Sequence, residues 1–118
     1  PAPVGPYNQG VIANGWLYCS GQIPLDPTTG LIVGEGDIEA ETRQVLHNLS
    51  AVLDAVGASP SQVIKTTIYL IDLKDFEKVN VVYSQTFSGE NTPARACVQV
   101  AALPKGALVE IDCVAWLG

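Results

Sequence analysis

The sequence predicts an α+β fold in which a mixed β-sheet carries two helices on one face. Two stretches repeat apolar residues with the helical period, whereas the other apolar stretches alternate or are rich in β-branched residues, as strands are. These elements follow one another in the order ββ(β)αβαββ, which is typical of an α+β domain. With 118 residues, 47% of them hydrophobic, residues 1–118 are expected to form a single domain around one core.

The first half of the chain predicts a hairpin and a long helix. Residues 11–23 read as two strands around Asn14-Gly15, the commonest turn signal of a two-residue hairpin. A loop with a short third strand follows. Asp37 then offers an N-cap to a helix whose apolar residues keep helical spacing, and Gly57 is a suitable residue to end it.

The second half predicts a strand, a second helix and another hairpin. Residues 63–71 are rich in β-branched side chains, and residues 73–87 return to the helical period. The two C-terminal strands are expected to pair with each other across Pro104-Lys105-Gly106. One face of this hairpin is apolar and is expected to form the core beneath the helices; it comprises Ala96, Val98, Val100 and Ala102 with Val109, Ile111, Cys113, Ala115 and Leu117.

The opposite face of the same sheet mixes polar and apolar side chains. It is expected to carry Arg95, Cys97, Glu110, Asp112 and Trp116, with Trp16, Tyr18, Ser20 and Gln22 in the first hairpin. Such a face is too apolar for open water and too polar for a core, which favours a subunit interface that holds a polar pocket. Along the predicted hairpin Arg95 and Glu110 would lie roughly 20 Å apart. Each is therefore expected to find its partner in solvent, in a ligand or in another copy of the chain.

The charge balance argues against nucleic acid and membranes as partners. Twelve acidic residues against six basic ones give a net charge of −6, which repels phosphate backbones and anionic lipid. No apolar run approaches the roughly 18 residues of a membrane span, and the first ten residues lack the pattern of a secretory signal. The expected location is cytoplasmic. Mitochondria or another organelle stay open, because the chain has no initiator methionine and an address could precede it.

The cysteine and histidine content restricts the chemistry. Cys19, Cys97 and Cys113 contain no C-x-x-C pair and fit neither a disulfide framework nor a zinc site, so reduced thiols and no metal are expected. His47 is the only histidine, and it falls on the helix face opposite the leucines, where solvent is expected. Catalysis by a Ser-His-Asp triad or a Cys-His pair is therefore not expected.

Four stretches match the motifs of a known family: GPYNQG (5–10), CSGQIPLDPTTG (19–30), IKTTIYLIDLKDFEKVNVVYSQTF (64–87) and PARACVQVAALPKGALVEIDCVAW (93–116). Through them the chain resembles the RidA/YjgF imine deaminase family over essentially its whole length. The resemblance implies a chorismate-mutase-like subunit that assembles as a homotrimer, with the sheets lining a central barrel and three clefts between subunits. In the family these clefts hydrolyse 2-imino acids, such as 2-iminobutanoate and 2-iminopropanoate, to 2-keto acids and ammonia without a cofactor.

The resemblance also implies roles for individual residues. Arg95 of the PAR motif would hold the substrate carboxylate through two parallel hydrogen bonds, which a lysine cannot form. Glu110 of the VEI motif would position the attacking water. The other substrate-binding positions are Tyr7, Ser20, Gly21, Asn80 and Cys97. Asn8 and Gly10 stand where many members have serine and alanine, which bears on the preference for the substrate side chain.

Two other functions stay open. An endoribonuclease activity that inhibits translation is also ascribed to members of this family. The excess of acidic over basic residues and the lack of a histidine pair count against this activity here. A noncatalytic trimer that binds small carboxylates or acts as a chaperone would use the same cleft without turnover. Structural roles stay open as well: Arg95 and Glu110 as interface contacts, Ser20 as a partner for backbone groups at a bulge, and Cys97 as a small pocket-lining residue.

Overall fold

A five-stranded sheet and two helices form the described part of the chain. The computed structural model describes residues 8–118. Its elements are β1 (Gly10–Ala13), β2 (Trp16–Gln22), α1 (Ile38–Ala55), β3 (Val63–Leu70), α2 (Phe76–Thr86), β4 (Ala94–Gln99) and β5 (Val109–Trp116). Both helices pack on one face of the sheet, which confirms the expected α+β class. The expected short third strand is reduced to a single bridge between Leu25 and Ile32.

The N-terminal hairpin forms as the sequence predicts. Asn14 and Gly15 have φ angles of 52° and 79°, the left-handed backbone that the two-residue turn requires. β1 and β2 pair antiparallel on either side of this turn. β2 then pairs with β5, and the register shifts between Cys19 and Gln22. This bulge falls on residues 20–21, two of the expected substrate-binding positions.

The predicted C-terminal hairpin is wrong. The strand order is β1-β2-β5-β3-β4, so β3 lies between β4 and β5, parallel to β4 and antiparallel to β5. After β4, the Val100 N–H donates to the Leu70 carbonyl; before β5, the Leu108 carbonyl accepts from the Ile71 N–H. The turn at Pro104–Gly106 therefore belongs to a loop that passes around the end of β3. The alternation of side chains along a strand predicts which face each one occupies, but it does not predict which strands lie next to it. The strand β3 is rich in β-branched residues, and its central position lets its backbone form hydrogen bonds on both edges.

This pairing reverses the faces expected for β4. Arg95 and Cys97 align with Thr66 and Ile68, whose side chains are buried on the helix face. Val98, expected in the core, lies on the open face and is 42% exposed. The other residues expected in the core from this segment, Ala96, Val100 and Ala102, are half-buried or exposed. The faces of β5 are as expected, with Val109, Ile111, Cys113 and Ala115 buried.

One apolar core fills the space between the sheet and the helices. α1 begins after Asp37, whose carboxylate accepts hydrogen bonds from the backbone of residues 39 and 40, as an N-cap does. Gly57 follows the helix with a φ of 72°, and His47 faces solvent, both as expected. The core includes Val45, Leu46, Leu49, Val52 and Leu53 of α1, Val79, Val82 and Tyr83 of α2, and Leu17, Ile68, Leu70 and Ile111 of the sheet. Neither helix within residues 8–118 is long and apolar enough to cross a membrane.

A buried carboxylate connects α1 to the start of β5. Glu41 has no exposed surface, and its two oxygens accept hydrogen bonds from the backbone N–H of Gly36 at 2.9 Å and of Leu108 at 2.8 Å. Gly36 belongs to the loop before α1, and Leu108 immediately precedes β5. The two charge-assisted hydrogen bonds offset the cost of removing the carboxylate from water. Glu41 thereby fixes β5, the strand of Glu110, relative to α1.

Glu41→Ala is expected to lower the free energy of unfolding by about 2–5 kcal/mol, because two partly buried backbone hydrogen bonds lose their acceptor and the fully buried side chain of Glu41 is removed. Glu39, two residues earlier on the same helix, is the matched control. Its carboxylate pairs with Arg43 at 3.7 Å on the surface, so Glu39→Ala should cost at most about 1 kcal/mol. Urea unfolding followed by circular dichroism measures both variants. Equal losses would show that Glu41 does not hold β5.

Candidate functional site

Arg95 lies where β4, at one edge of the sheet, meets α2. Its Nη1 donates a hydrogen bond to Oδ1 of Asn80 at 2.7 Å. The guanidinium carbon lies 4.9 Å from the ring centre of Tyr83 and 5.3 Å from that of Phe76. Phe76, Asn80 and Tyr83 are spaced four and three residues apart and so form one stripe of α2. β4 thus supplies the guanidinium, and α2 supplies the groups that hold it.

The groups around Arg95 orient the guanidinium without neutralising it. The Asn80 partner is an uncharged amide, and aromatic rings attract a cation through their faces. Tyr83 is itself fixed, because its hydroxyl and the hydroxyl of Thr66 form a buried hydrogen bond of 2.7 Å. Burial raises the pKa of Tyr83, so its phenol stays neutral beside the cation. The positive charge of Arg95 is therefore left for another partner.

A cavity of about 410 Å³ opens beside this arginine. Its lining combines the rings of Tyr83 and Phe87 with polar groups of Asn80, Ser84, Thr92 and Arg95. This is room for a small organic acid together with water, and the guanidinium is the cationic group in the lining. The cavity suits an anionic ligand of a few carbon atoms.

Cys97 lies two residues after Arg95 on the same face of β4. It is half-buried and packs against the core. Burial raises the pKa of the Cys97 thiol, and the charge of Arg95 opposes that rise. The neutral thiol therefore dominates at neutral pH, which suits a pocket-lining residue better than a nucleophile.

Glu110 lies on the open face of the sheet, beside the bulge of β2. A Cβ atom at Gly21 would collide with the Glu110 carboxylate, so only glycine lets the carboxylate lie there without a shift. The neighbouring Ser20 donates its hydroxyl to the carbonyl of Asn8 at 2.6 Å. The serine therefore satisfies a backbone group, which is the structural role that the sequence left open.

Burial and one neighbouring carboxylate, Asp112, shape the electrostatics around Glu110. Burial raises the pKa of Glu110 above the ordinary value of 4.5, and the charge of Asp112 raises it further. Asp112 accepts a hydrogen bond at 2.9 Å from the hydroxyl of Tyr69. The raised pKa prepares Glu110 to take up a proton.

Arg95 and Glu110 lie on opposite faces of the sheet, which corrects the expectation that they share one. Arg95 of β4 aligns with Thr66 of β3. Glu110 of β5, the strand on the other edge of β3, aligns with Tyr69, which is three residues after Thr66. These steps put the two Cα atoms about 14 Å apart. One chain therefore holds an arginine half-site and a glutamate half-site; the first comprises Arg95, Asn80 and Cys97, and the second comprises Glu110, Gly21 and Ser20.

Tyr7, the remaining expected position, lies outside the described residues 8–118. The sequence interpretation missed Phe76 and Tyr83, although their helical spacing from Asn80 was a usable signal. Among residues 8–118, no group of three or more His, Cys, Asp or Glu side chains is placed to hold a metal ion. The arginine half-site presents hydrogen-bond donors and aromatic rings, which suit an organic anion.

A pH series tests the raised pKa of Glu110. A carboxyl group whose pKa is higher in the folded chain stabilises folding when protonated, and this contribution is lost as the pH rises through the raised value. Glutamine does not ionise, so the Glu110→Gln variant does not lose this contribution. Its stability should therefore increase relative to that of the parent as the pH rises above 4.5. In an Asp112→Asn background the pH-dependent difference in stability between Glu110 and Glu110→Gln should be smaller, because Asp112→Asn removes a charge that raises the pKa of Glu110. Unfolding midpoints at each pH measure the difference; one that did not vary with pH would contradict the raised pKa.

Comparisons with known proteins agree with this fold. Residues 1–117 match the model of the family described as Endoribonuclease L-PSP. A RutC family protein of Synechocystis is 56% identical over 117 residues, which cover 99% of this chain and 90% of the relative. The human 2-iminobutanoate/2-iminopropanoate deaminase is 46% identical over 118 residues, which cover 100% of this chain and 85% of the relative. The crystal structure of E. coli TdcF with bound serine has a TM-score of 0.91 at 40% identity and covers 100% of this chain and 93% of that one. The chain belongs to this family, the RidA/YjgF family.

Proposed function

We propose that the protein hydrolyses reactive 2-imino acids, such as 2-iminobutanoate and 2-iminopropanoate, to 2-keto acids and ammonia. One observation carries this function: a neutral amide and two aromatic rings hold Arg95 beside a cavity that fits a small organic acid. The name of the human relative supports the same reaction. The serine bound to TdcF supports a site for a small molecule with a carboxylate.

Arg95 anchors the substrate through its carboxylate. A guanidinium forms two parallel charge-assisted hydrogen bonds with a carboxylate, which fixes the plane of the acid as well as its position. Asn80 restricts the rotation of the guanidinium, and the rings of Phe76 and Tyr83 keep water from two of its sides. Holding the carboxylate also holds the adjacent imine carbon, because the two carbons are directly bonded. The remaining requirement is a water molecule placed within reach of that imine carbon.

Glu110 orients and deprotonates the attacking water. Its raised pKa makes it a stronger base than an ordinary carboxylate, and the missing side chain of Gly21 gives it room. Water adds to the imine carbon while Glu110 accepts its proton. The proton then passes to the nitrogen of the amino-alcohol intermediate. As the C–N bond breaks and ammonia leaves, Glu110 takes the proton of the hydroxyl group, whose oxygen becomes the carbonyl of the 2-keto acid. Ammonia or solvent then removes this proton from Glu110. A protonated imine is already electrophilic, so the reaction needs no metal or covalent nucleophile.

The two half-sites act on one substrate only when they come from different copies of the chain. Their separation of about 14 Å, on opposite faces of one sheet, exceeds the length of a four-carbon acid. The open face also exposes Tyr18, Val98 and Trp116 by 51%, 42% and 43%. A mixed face of this kind fits a homotrimer whose sheets surround a central barrel. Each cleft would take Arg95 from one copy and Glu110 from the next.

An endoribonuclease is the second candidate, because the description of the family model names that activity. The net charge of −6 disfavours binding of a phosphate backbone. The chain's only histidine, His47, is exposed on α1 and belongs to neither half-site. Parallel assays on single-stranded RNA and on an imine substrate separate the two functions. Cleavage of RNA without release of a keto acid would favour the endoribonuclease.

Arg95→Lys is expected to keep the fold and lose most of the deaminase activity, because an ammonium keeps the charge and loses the two-pronged geometry. Arg95→Ala should lower activity further, by about 30-fold to several thousandfold, the equivalent of roughly 2–5 kcal/mol. The assay generates 2-iminobutanoate from threonine with a dehydratase and follows keto-acid release above the uncatalysed rate. Arg43, the only other arginine, is the matched control, and Arg43→Lys and Arg43→Ala should keep the parental rate.

Circular dichroism and size-exclusion chromatography on the same preparations separate a substrate anchor from a structural arginine. A structural role predicts that activity falls only as far as melting temperature or assembly falls. If Arg95→Ala assembles normally and hydrolyses the imine at the parental rate, Arg95 does not bind the substrate. If the parent binds 2-ketobutanoate in a calorimeter without accelerating hydrolysis, the protein is a noncatalytic carboxylate-binding protein.

Mixing two inactive variants tests whether each cleft draws on two copies. When Arg95→Ala and Glu110→Gln subunits are refolded together in equal amounts, roughly one cleft in four of a random cyclic trimer has both residues intact. Activity should therefore return to about a quarter of the parental value, while each variant refolded alone stays near background. A mixture that forms trimers and recovers no activity would contradict the shared cleft.

A further inference from the structure

Two cysteines lie opposite each other inside the sheet and belong to neither half-site. Cys19 of β2 and Cys113 of β5 are partners in the antiparallel register. Both side chains lie on the helix face, where they are 6% and 2% exposed. Directly opposite residues of antiparallel strands have Cα atoms about 4.5–5.5 Å apart, which lies within the range that a disulfide spans. The register of the two strands is therefore compatible with a disulfide between Cys19 and Cys113.

The two thiols influence each other's ionisation. The neighbouring Cys113 thiol lowers the pKa of Cys19, although burial and the charge of Asp112 act in the opposite direction. The proximity of Cys19 and burial raise the pKa of Cys113. When protonated, Cys19 also donates to the Ser20 carbonyl at 3.5 Å. Cys19 is therefore the thiol that ionises first, and Cys113 is the neighbour that retains its proton.

A groove lies beside Gly10, the residue of β1 that pairs with Cys19. It has a volume of about 370 Å³, runs between β1 and the last turns of α1, and is lined by Gly10, Leu17 and Val52 among others. Gly10 is the register partner of Cys19 on β1. A Cβ atom at Gly10 would lie 3.0 Å from Leu17 and 3.4 Å from Val52, so any larger residue at this position would crowd the wall of the groove. An uncharged molecule of the size of hydrogen peroxide fits this groove.

We propose that Cys19 and Cys113 form a redox-active dithiol that a hydroperoxide oxidises to a cross-strand disulfide. In the first step the Cys19 thiolate attacks a peroxide oxygen. An S–O bond forms, the O–O bond breaks, and the other oxygen leaves as an alcohol, or as water from hydrogen peroxide, after taking up a proton. In the second step the Cys113 sulfur attacks the Cys19 sulfenic acid. An S–S bond forms, the S–O bond breaks, and the departing hydroxide takes the Cys113 proton and leaves as water. Two electrons pass from the two thiols to the peroxide.

Cys97 provides an internal comparison. It lies on β4, which β3 separates from β5, so it cannot replace either member of the pair. Its thiol is more accessible than the other two, since it is half-buried rather than buried. Accessibility alone would therefore direct a peroxide to Cys97, whereas the paired geometry directs disulfide formation to Cys19 and Cys113.

The test treats the parent protein with hydrogen peroxide, blocks the remaining thiols under denaturing conditions and maps the peptides without reduction. We expect a peptide that links Cys19 to Cys113, a mass loss of two hydrogen atoms, and reversal by dithiothreitol. Cys97→Ala should form the same link at a rate within about twofold of the parent. Cys113→Ala should stop at a Cys19 sulfenic acid that dimedone traps, and it should form no link.

The mapping of the parent protein decides the outcome even if an alanine at a buried position prevents folding. The dithiol is refuted if peroxide modifies only Cys97 and leaves Cys19 and Cys113 as free thiols. It is also refuted if Cys19 is oxidised to sulfinic acid in the parent while Cys113 remains a thiol. A disulfide that joins Cys97 to either cysteine would overturn the register on which the dithiol rests.

Discussion

The position of the two candidate catalytic residues, Arg95 and Glu110, depends on the central strand β3, which forms backbone hydrogen bonds on both of its edges. Its inward residues are fully buried under the helices, and its two neighbours, β4 and β5, are the strands that carry Arg95 and Glu110. Thr66 of β3 holds the hydroxyl of Tyr83, and the ring of Tyr83 in turn lies against the guanidinium of Arg95. The position of the arginine therefore depends on the central strand through one threonine and one tyrosine.

Several elements could be predicted from the sequence because their signals are local. The turn at Asn14-Gly15 needs a left-handed backbone that these residue types favour, and the carboxylate of Asp37 can cap only the helix that follows it. The pairing of β4 could not be predicted in this way. Strand neighbours are chosen by contacts between distant segments, and the sequence around Pro104–Gly106 resembles a hairpin turn while closing a wider loop.

The arrangement of the candidate site could not be predicted from the sequence. The face of Arg95 is one example, because the residues of β4 are ambiguous: alanine and valine alternate with arginine and cysteine, and neither set is clearly the buried one. Arginine can lay its apolar stem and planar head against aromatic rings while it reaches a polar partner, so its charge does not predict an outward direction. Similarly, the contact between Gly21 and Glu110 depends on a bulge that no short motif encodes.

The free edge of β4 has a consequence for the newly made polypeptide. Within residues 8–118 this strand hydrogen-bonds to β3 alone, so the other side of its backbone is open to any extended segment. Edge strands with exposed apolar side chains recruit further strands and promote aggregation, and Val98 on this strand is such a side chain. A newly made chain that stays single therefore carries a template for misassembly. Variants that weaken the proposed trimer would be depleted from cells by precipitation and proteolysis before a loss of the proposed activity could be measured.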